Sequence, residues 1–156
     1  MTRFRTGLTL IFVAIAGPLA AEWQSSSDTG RGWAQASTTV EGVYVQMACS
    51  RSTAPQLQFY GYEGPGLERV DDATSMIRIE ITGADGAILY ADAAPFYYFA
   101  PDQTWLSQYG TAPPYLGAWA QGSRMAIVGS GGERIAEVAL TGTSRALAAM
   151  RTACNL

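Results

Sequence analysis

Alternating apolar and polar positions recur along the chain and predict β-strands. In residues 76–81 three isoleucines fall on one face of an extended chain, whereas Arg78 and Glu80 fall on the other. Residues 43–47 are rich in β-branched and aromatic side chains, and residues 56–60 alternate in the same way. We therefore expect a strand in each of these three segments.

Glycine-containing turns at residues 83–86 and 130–132 predict two β-hairpins, because glycine and aspartate accept the positive φ angles of tight turns. A sheet built from such hairpins is antiparallel. The predicted flanking strands are residues 76–81 and 87–90 for the first turn, and residues 124–128 and 135–140 for the second.

Prolines and a helical apolar stripe predict the remaining elements. Residues 96–99 are expected to form a short aromatic strand bounded by Pro95 and Pro101. Residues 102–122, which contain two consecutive prolines, are expected to be irregular. A helix is predicted over residues 143–153, where apolar side chains share one face.

Together these elements predict a mainly β fold, a small antiparallel sandwich or barrel-like domain with one short C-terminal helix. Residues 22–156 are expected to form this single domain. The polar, glycine-containing residues 22–40 are expected to be a loose N-terminal arm.

Residues 1–21 have the pattern of a secretory signal peptide. Arg3 and Arg5 give a positive start, an apolar run follows, and small residues end the segment at Ala21. The apolar run covers about half of the roughly 20 residues that a membrane-spanning helix needs, so we expect cleavage near Ala21. The mature protein is thus expected to be periplasmic or secreted, with no membrane span after cleavage.

The charge balance of the chain is mildly acidic. Cleavage after Ala21 would leave eight Arg against thirteen acidic residues, a net charge of −5. Nucleic-acid binding requires clustered cations that displace counterions, and the remaining arginines are scattered along the chain. We therefore expect no nucleic-acid partner.

The chain contains two cysteines, Cys49 and Cys154, and an oxidising compartment favours their pairing. Cys154 shares one helical face with Leu147 and Met150, so a disulfide would fix the C-terminal helix to the strand that leads to Cys49. A redox pair usually has Cys-x-x-Cys spacing, and a zinc site needs ligands that a chain without histidine does not supply. We expect a structural disulfide, and neither metal nor cofactor.

All ten basic residues are arginine, and the chain contains neither lysine nor histidine. Histidine-based triads, lysine nucleophiles and the phosphate-binding lysine of P-loops are therefore excluded. What remains is carboxylate chemistry, in which a glycosidase-like pair of acids is the enzyme hypothesis to consider. No spacing specifies such a pair, so we do not expect an enzyme. The candidate acids lie in predicted loops: Glu63, Glu68, Asp71, Asp72, Asp92 and Asp102.

Eight of the seventeen aromatic residues lie between Phe96 and Trp119. Tyr and Trp suit sugar stacking, peptide grooves and protein interfaces, because each combines an apolar face with a polar edge. The same residues suit a lid that covers an open end of the sheet, so both interpretations remain open. The candidate binding residues are Tyr97, Tyr98, Trp105, Tyr109, Tyr115 and Trp119, with Asp102, Gln103 and Gln108 as further hydrogen-bonding groups.

The C-terminal part of the chain resembles small exported bacterial proteins. Residues 122–154 run as strand, glycine turn, a strand ending in Leu-Thr-Gly at 140–142, and the short helix 146–150 before a near-terminal cysteine. This ending is similar to that of periplasmic proteins of the invasion-associated locus B type and of the type VI secretion-associated VasI-like type. Residues 43–57 are also compatible with the second type. The resemblance implies a non-catalytic exported accessory protein and assigns no catalytic residues.

The sequence thus predicts a non-catalytic periplasmic or secreted accessory or binding protein that recognises a protein or cell-envelope component through its aromatic segment. The alternative is a small carboxylate-dependent hydrolase of envelope glycans. A third hypothesis is an assembly partner whose exposed strand edge pairs with another chain.

Overall fold

The computed structural model describes residues 22–108 and 112–156, so the predicted signal peptide lies outside the described residues. In the described ranges the protein is mainly β, as predicted, with two α-helices and one 3₁₀ turn at Ala100–Asp102. The strands and helices are β1 (Gln24–Asp28), β2 (Trp33–Val40), β3 (Val43–Ser50), β4 (Thr53–Tyr60), β5 (Thr74–Thr82), β6 (Ile88–Phe99), β7 (Thr104–Ser107), α1 (Leu116–Gln121), β8 (Arg124–Val128), β9 (Arg134–Ala139) and α2 (Thr143–Cys154).

The strands form one antiparallel sheet in the order β1-β2-β3-β4-β7-β6-β5-β8-β9. The first four strands follow one another as hairpins. The β2–β3 turn consists of Glu41 and Gly42, whose φ angles of 49° and 83° suit a two-residue hairpin turn. The hairpins predicted at residues 83–86 and 130–132 are confirmed as β5–β6 and β8–β9.

A single cluster of buried side chains lies inside the curve of the sheet. The three isoleucines of β5 are buried in it, whereas Arg78 and Glu80 form an ion pair of 2.6 Å on the opposite face. α2 covers the cluster by packing against β1, β2 and β3. Its buried face contains Leu147, Met150 and Cys154, which confirms the stripe predicted for this helix.

β6 is one continuous strand of 12 residues, where the sequence predicted two strands bounded by Pro95. The Pro95 carbonyl accepts a hydrogen bond from the Gln108 N–H at 3.1 Å, on the side of β7. Because the N–H and C=O positions of one strand residue point to the same side, the Pro95 nitrogen also faces away from β5. Its missing N–H removes no hydrogen bond from the β5–β6 ladder, so the predicted boundary is wrong.

The loose N-terminal arm predicted for residues 22–40 is also wrong. These residues contain the β1–β2 hairpin, and β2 pairs with β3 along its whole length. Ala34 and Ala36 of β2 are fully buried in the core. β1 is an edge strand of small polar residues, nearly all of them exposed, and such a strand has no alternating apolar pattern.

Trp23 connects the two ends of the strand order. Its indole N–H donates to the Ala139 carbonyl at 2.8 Å, and its backbone N–H donates to the Thr141 carbonyl at 3.1 Å. The Trp23 ring meets Trp119 edge-on, with the ring centroids 5.1 Å apart. Because Ala139 ends β9 and Trp23 precedes β1, these contacts hold the sheet in its curl.

The segment 102–122, expected to be irregular, contains β7 and α1. β7 has four residues and lies in the middle of the sheet, paired with β4 on one side and β6 on the other. α1 packs against α2. Neither element is long enough to show a hydrophobic period. α1 has six residues, which is less than two helical turns, and β7 has four.

Cys49 and Cys154 form the predicted disulfide, with their Cα atoms 6.1 Å apart. The bond joins β3 to the last residue of α2. Disulfides of this kind persist outside the reducing cytoplasm, so the bond indicates a non-cytoplasmic location. Among the described residues, no helix has the length and apolar character needed to cross a membrane.

Replacing both cysteines (Cys49→Ser with Cys154→Ser) should lower the free energy of unfolding by about 3–5 kcal/mol, because the unfolded chain regains the entropy of a long loop. Urea unfolding followed by tryptophan fluorescence measures the change. Wild-type protein unfolded in a thiol reductant is the matched control and should lose a similar amount. A loss below about 1 kcal/mol in both samples would contradict the assigned role of the bond.

Candidate functional site

The structure buries most of the aromatic side chains that the sequence offered as a binding surface. Tyr97 is half-buried, and Tyr109 lies outside the described residues. The other four belong to the core of the protein and form no exposed surface, although one of them, Tyr115, also lines a cleft. These four are between 0% and 5% exposed: Tyr98, Trp105, Tyr115 and Trp119.

The burial of these rings follows from the position of β7 and α1. Trp105 on β7 lies beside Phe59 of β4 and Tyr98 of β6, with ring centroids 6.4 Å and 5.4 Å away. Trp119 on α1 is fully buried against Trp23. The aromatic segment therefore fills the interior where the two short elements close the sheet.

The acids of the hydrolase hypothesis have mostly structural or solvated positions. Asp71 accepts the backbone N–H of Ala100 at 2.9 Å and so fixes the loop before β5. Glu63 lines a recess of about 50 Å³ beside Gln103, which is too small for more than a few water molecules. In the described ranges no three His, Cys, Asp or Glu side chains are grouped to hold a metal ion. Of the six acids, Asp92 lines a larger cleft.

That cleft, of about 270 Å³, opens beside β6 at the place where β7 ends. β6 forms one wall, and the segment that leads into α1 forms the other. Its volume is just below the range of pockets that take small ligands, and it suits a side chain of a larger partner. We call it the β6 cleft, and its main lining residues are Tyr90, Asp92, Pro95, Gln108, Pro114 and Tyr115.

Tyr115 lines the β6 cleft and carries an unsatisfied, buried polar group. The residue is 3% exposed, and its hydroxyl has no hydrogen-bond partner among the described residues. Its ring lies against Tyr90, with the ring centroids 5.5 Å apart. Burial, and then the neighbouring Tyr90, raise the pKa of Tyr115 well above its ordinary value of 10.0. The hydroxyl is therefore protonated at neutral pH and is free to donate and accept hydrogen bonds.

Asp92 supplies the charge of the β6 cleft in its described lining. The Asp92 carboxylate is exposed and accepts the backbone N–H of Ala93 at 2.8 Å. Partial burial, and then Asp92, raise the pKa of Tyr90, so this phenol is also protonated at neutral pH. The cleft thus presents one carboxylate together with two neutral phenols.

The β6 cleft follows a stretch of β6 that has a neighbouring strand on one side only, within the described part of the chain. β7 pairs with residues 96–99 and Gln108 bonds to Pro95, so, among the described residues, 88–94 pair with β5 alone. Residues that alternate with Pro95 point the same way, so the backbone groups of Ala91 and Ala93 face away from β5. The Thr82 carbonyl of β5 accepts a hydrogen bond from the Ser123 N–H at 2.8 Å. This bond shows which backbone groups of β5 face β8, and it leads to the same orientation for the backbone groups of β6.

Sequence reasoning missed the β6 cleft, although one signal for it was present. Tyr90 and Asp92 occupy alternate positions with Phe96, which is fully buried, so all three side chains lie on the inner face of β6. Because Pro95 suggested a break in the strand, the two halves of β6 were not connected. Without that connection the inner position of Asp92 could not be recognised.

A comparison of the chain with known protein families, with characterised proteins and with solved structures finds no match. The resemblance to locus B type and VasI-like proteins therefore stays a prediction from the sequence.

Tyr115→Phe should raise the free energy of unfolding by about 1 kcal/mol, because it removes a buried hydroxyl that has no partner. Urea unfolding at neutral pH measures this change. Tyr44→Phe is the matched control: the Tyr44 hydroxyl donates to Gln46 Oε1 at 3.1 Å, so its loss should lower the free energy by about 0.5–1 kcal/mol. Destabilisation by Tyr115→Phe of the same size would show that its hydroxyl is bonded.

The raised pKa of Tyr115 also predicts a loss of stability at alkaline pH. Above pH 10.0 the unfolded chain releases the Tyr115 proton while the folded chain retains it. Deprotonation therefore favours the unfolded state, and this contribution falls by about 1.4 kcal/mol for each pH unit. Unfolding curves measured from about pH 9 to about pH 11 should have a shallower pH dependence for Tyr115→Phe than for wild type. Equal slopes would contradict the assigned environment of Tyr115.

Proposed function

We propose that this chain is a non-catalytic exported binding protein, periplasmic or secreted, that holds a protein or cell-envelope component in the β6 cleft. The aromatic segment contributes through Tyr115, whose ring lies against Tyr90. The disulfide supports a location outside the cytoplasm. The signal-peptide pattern of residues 1–21 supports export.

The observation that carries the proposal is Tyr115, which lines an open cleft and whose buried hydroxyl has no partner among the described residues. An unsatisfied buried hydroxyl costs about 1–3 kcal/mol, and a ligand that supplies the missing hydrogen bond removes this cost. Fixed polar groups in an otherwise apolar cleft are what orient a bound ligand. The surrounding prolines and alanines of the β6 cleft give it that apolar character.

The side-chain chemistry favours binding over catalysis. The chain has neither histidine nor lysine, and both cysteines are held in the disulfide. A glycan hydrolase of the usual kind needs two facing carboxylates. The described lining of the β6 cleft contains Asp92 as its one carboxylate, so the hydrolase hypothesis gains no support there.

Site-specific photo-crosslinking tests the proposal in envelope material. A photoreactive amino acid at Gln108, which is exposed and lines the β6 cleft, should capture a partner from envelope extract. Excess untagged wild-type protein should compete with the reaction, and Tyr115→Phe should reduce its yield severalfold. Digestion of the adduct with a protease or with a glycan hydrolase then separates a protein partner from a glycan.

The matched control carries the same photoreactive group at Ser144, which is exposed on α2 and outside the β6 cleft. We expect no competed adduct from this position. Adducts of equal yield at both positions, or none at Gln108, would refute the cleft as the binding site.

A further inference from the structure

The backbone of β6 beside the cleft has the form of an edge that can accept another strand. Within residues 22–108 and 112–156, no strand pairs with the backbone groups that face away from β5 at Ala91, which offers its N–H and C=O, and at Ala93, which offers its C=O. The Ala93 N–H is bonded to the Asp92 carboxylate at 2.8 Å. The Pro95 carbonyl is already occupied by the Gln108 N–H. An incoming strand would therefore continue the line of β7 along β6, starting beyond Gln108.

Two features of this edge restrict what can pair with it. Charged side chains and prolines protect exposed strand edges against indiscriminate pairing, and Asp92 and Pro95 are of these kinds. A neutral or acidic strand would have to desolvate the Asp92 carboxylate without compensating its charge. A strand that brings a cation compensates that charge, so the same residue that protects the edge also selects its occupant.

The charges around the β6 cleft favour a cationic side chain. Asp92 is the one charged residue in its described lining. The nearest cation on the paired strand is Arg78, which lies on the opposite face of the sheet and is bound to Glu80 at 2.6 Å. Tyr90 and Tyr115 add two aromatic rings, which attract an ammonium or guanidinium.

A second copy of this chain is a poor occupant of the edge. If two β6 strands paired in antiparallel fashion about Ala91 and Ala93, two Asp92 carboxylates would face the same interface. Like charges at neighbouring positions of paired strands are destabilising. The net charge of the whole chain is −3, which adds to the repulsion.

We propose that an extended segment of a partner protein adds as a strand to the β6 edge and places a Lys or Arg side chain in the β6 cleft. Its backbone bonds to Ala91 and Ala93, while its cation pairs with Asp92 beside Tyr90 and Tyr115. This inference rests on the proposed binding function and names the class of its partner. Backbone pairing supplies affinity in such strand addition, and the side-chain pocket supplies specificity.

Defined peptides test the charge requirement. The probes are blocked, fluorescent peptides of about six residues that alternate valine and threonine, with lysine, arginine, glutamine or glutamate at one central position. Fluorescence anisotropy with the mature, disulfide-bonded chain measures their Kd. The lysine and arginine peptides should bind at least about tenfold more tightly than the glutamate peptide. Asp92→Asn should remove this preference, and Asp102→Asn, an exposed acid outside the β6 cleft, should leave it unchanged.

Backbone N-methylation of the lysine peptide tests strand addition without changing the protein. Methylating alternate amides in one register should abolish binding, because it removes the N–H groups that face β6. Methylation in the other register should change Kd by less than about threefold. Ala91→Pro provides the complementary test, since it removes an N–H that faces away from β5 and should weaken binding with the thermal midpoint preserved.

The outcomes separate this inference from the proposed function. Capture of a partner at Gln108, without tighter binding of the lysine and arginine peptides than of the glutamate peptide, would overturn the inference and leave the binding function standing. Equal binding of both N-methylated registers would overturn strand addition. Failure of both the crosslinking and the peptides would overturn the inference and the proposed function together.

Discussion

The packing of α2 against the first three strands is the contact on which the rest of the structure depends. Its apolar face completes the core, and the bond from Cys154 to Cys49 holds its last turn on β3. α1 packs on α2 and carries Trp119. The Trp119 ring contacts Trp23, which precedes β1 at the start of the strand order. One sheet of nine strands can therefore curl around its own core, with a helix in the place where a second sheet would otherwise be needed.

The elements that the sequence predicted well are those whose information is local. The alternation in β5, the glycine turns of the β5–β6 and β8–β9 hairpins, and the apolar face of α2 all depend on residues close together in the chain. β1 has no apolar face to detect because it lies at the sheet edge, and β7 is only four residues long. β6 continues through Pro95 because the proline nitrogen, which has no N–H, faces away from β5. Which side it faces depends on the pairing of β6 with β5 and β7, and the local sequence does not show that pairing.

The sequence predicted only part of the candidate site, because the rest depends on contacts between distant segments. The aromatic segment was correctly identified as unusual, but composition does not tell whether a ring faces the core or solvent. Asp92 was singled out as an acid, yet its place beside Tyr90 and Tyr115 depends on where β7 ends. In the proposed function, Tyr115 is also a residue at which stability and binding oppose each other, because a hydroxyl without a partner among the described residues weakens the free protein and would be useful in a complex.

The long separation of the two cysteines has a consequence for the order of events during synthesis. They are 105 residues apart, so in a chain that emerges amino end first, Cys49 waits as a lone thiol while the intervening segment follows. The meander of β1 to β4 has only local connections and can form during that interval. The disulfide can form only after Cys154 has been synthesised, near the end of the chain. Until then the Cys49 thiol can form mixed disulfides with other chains.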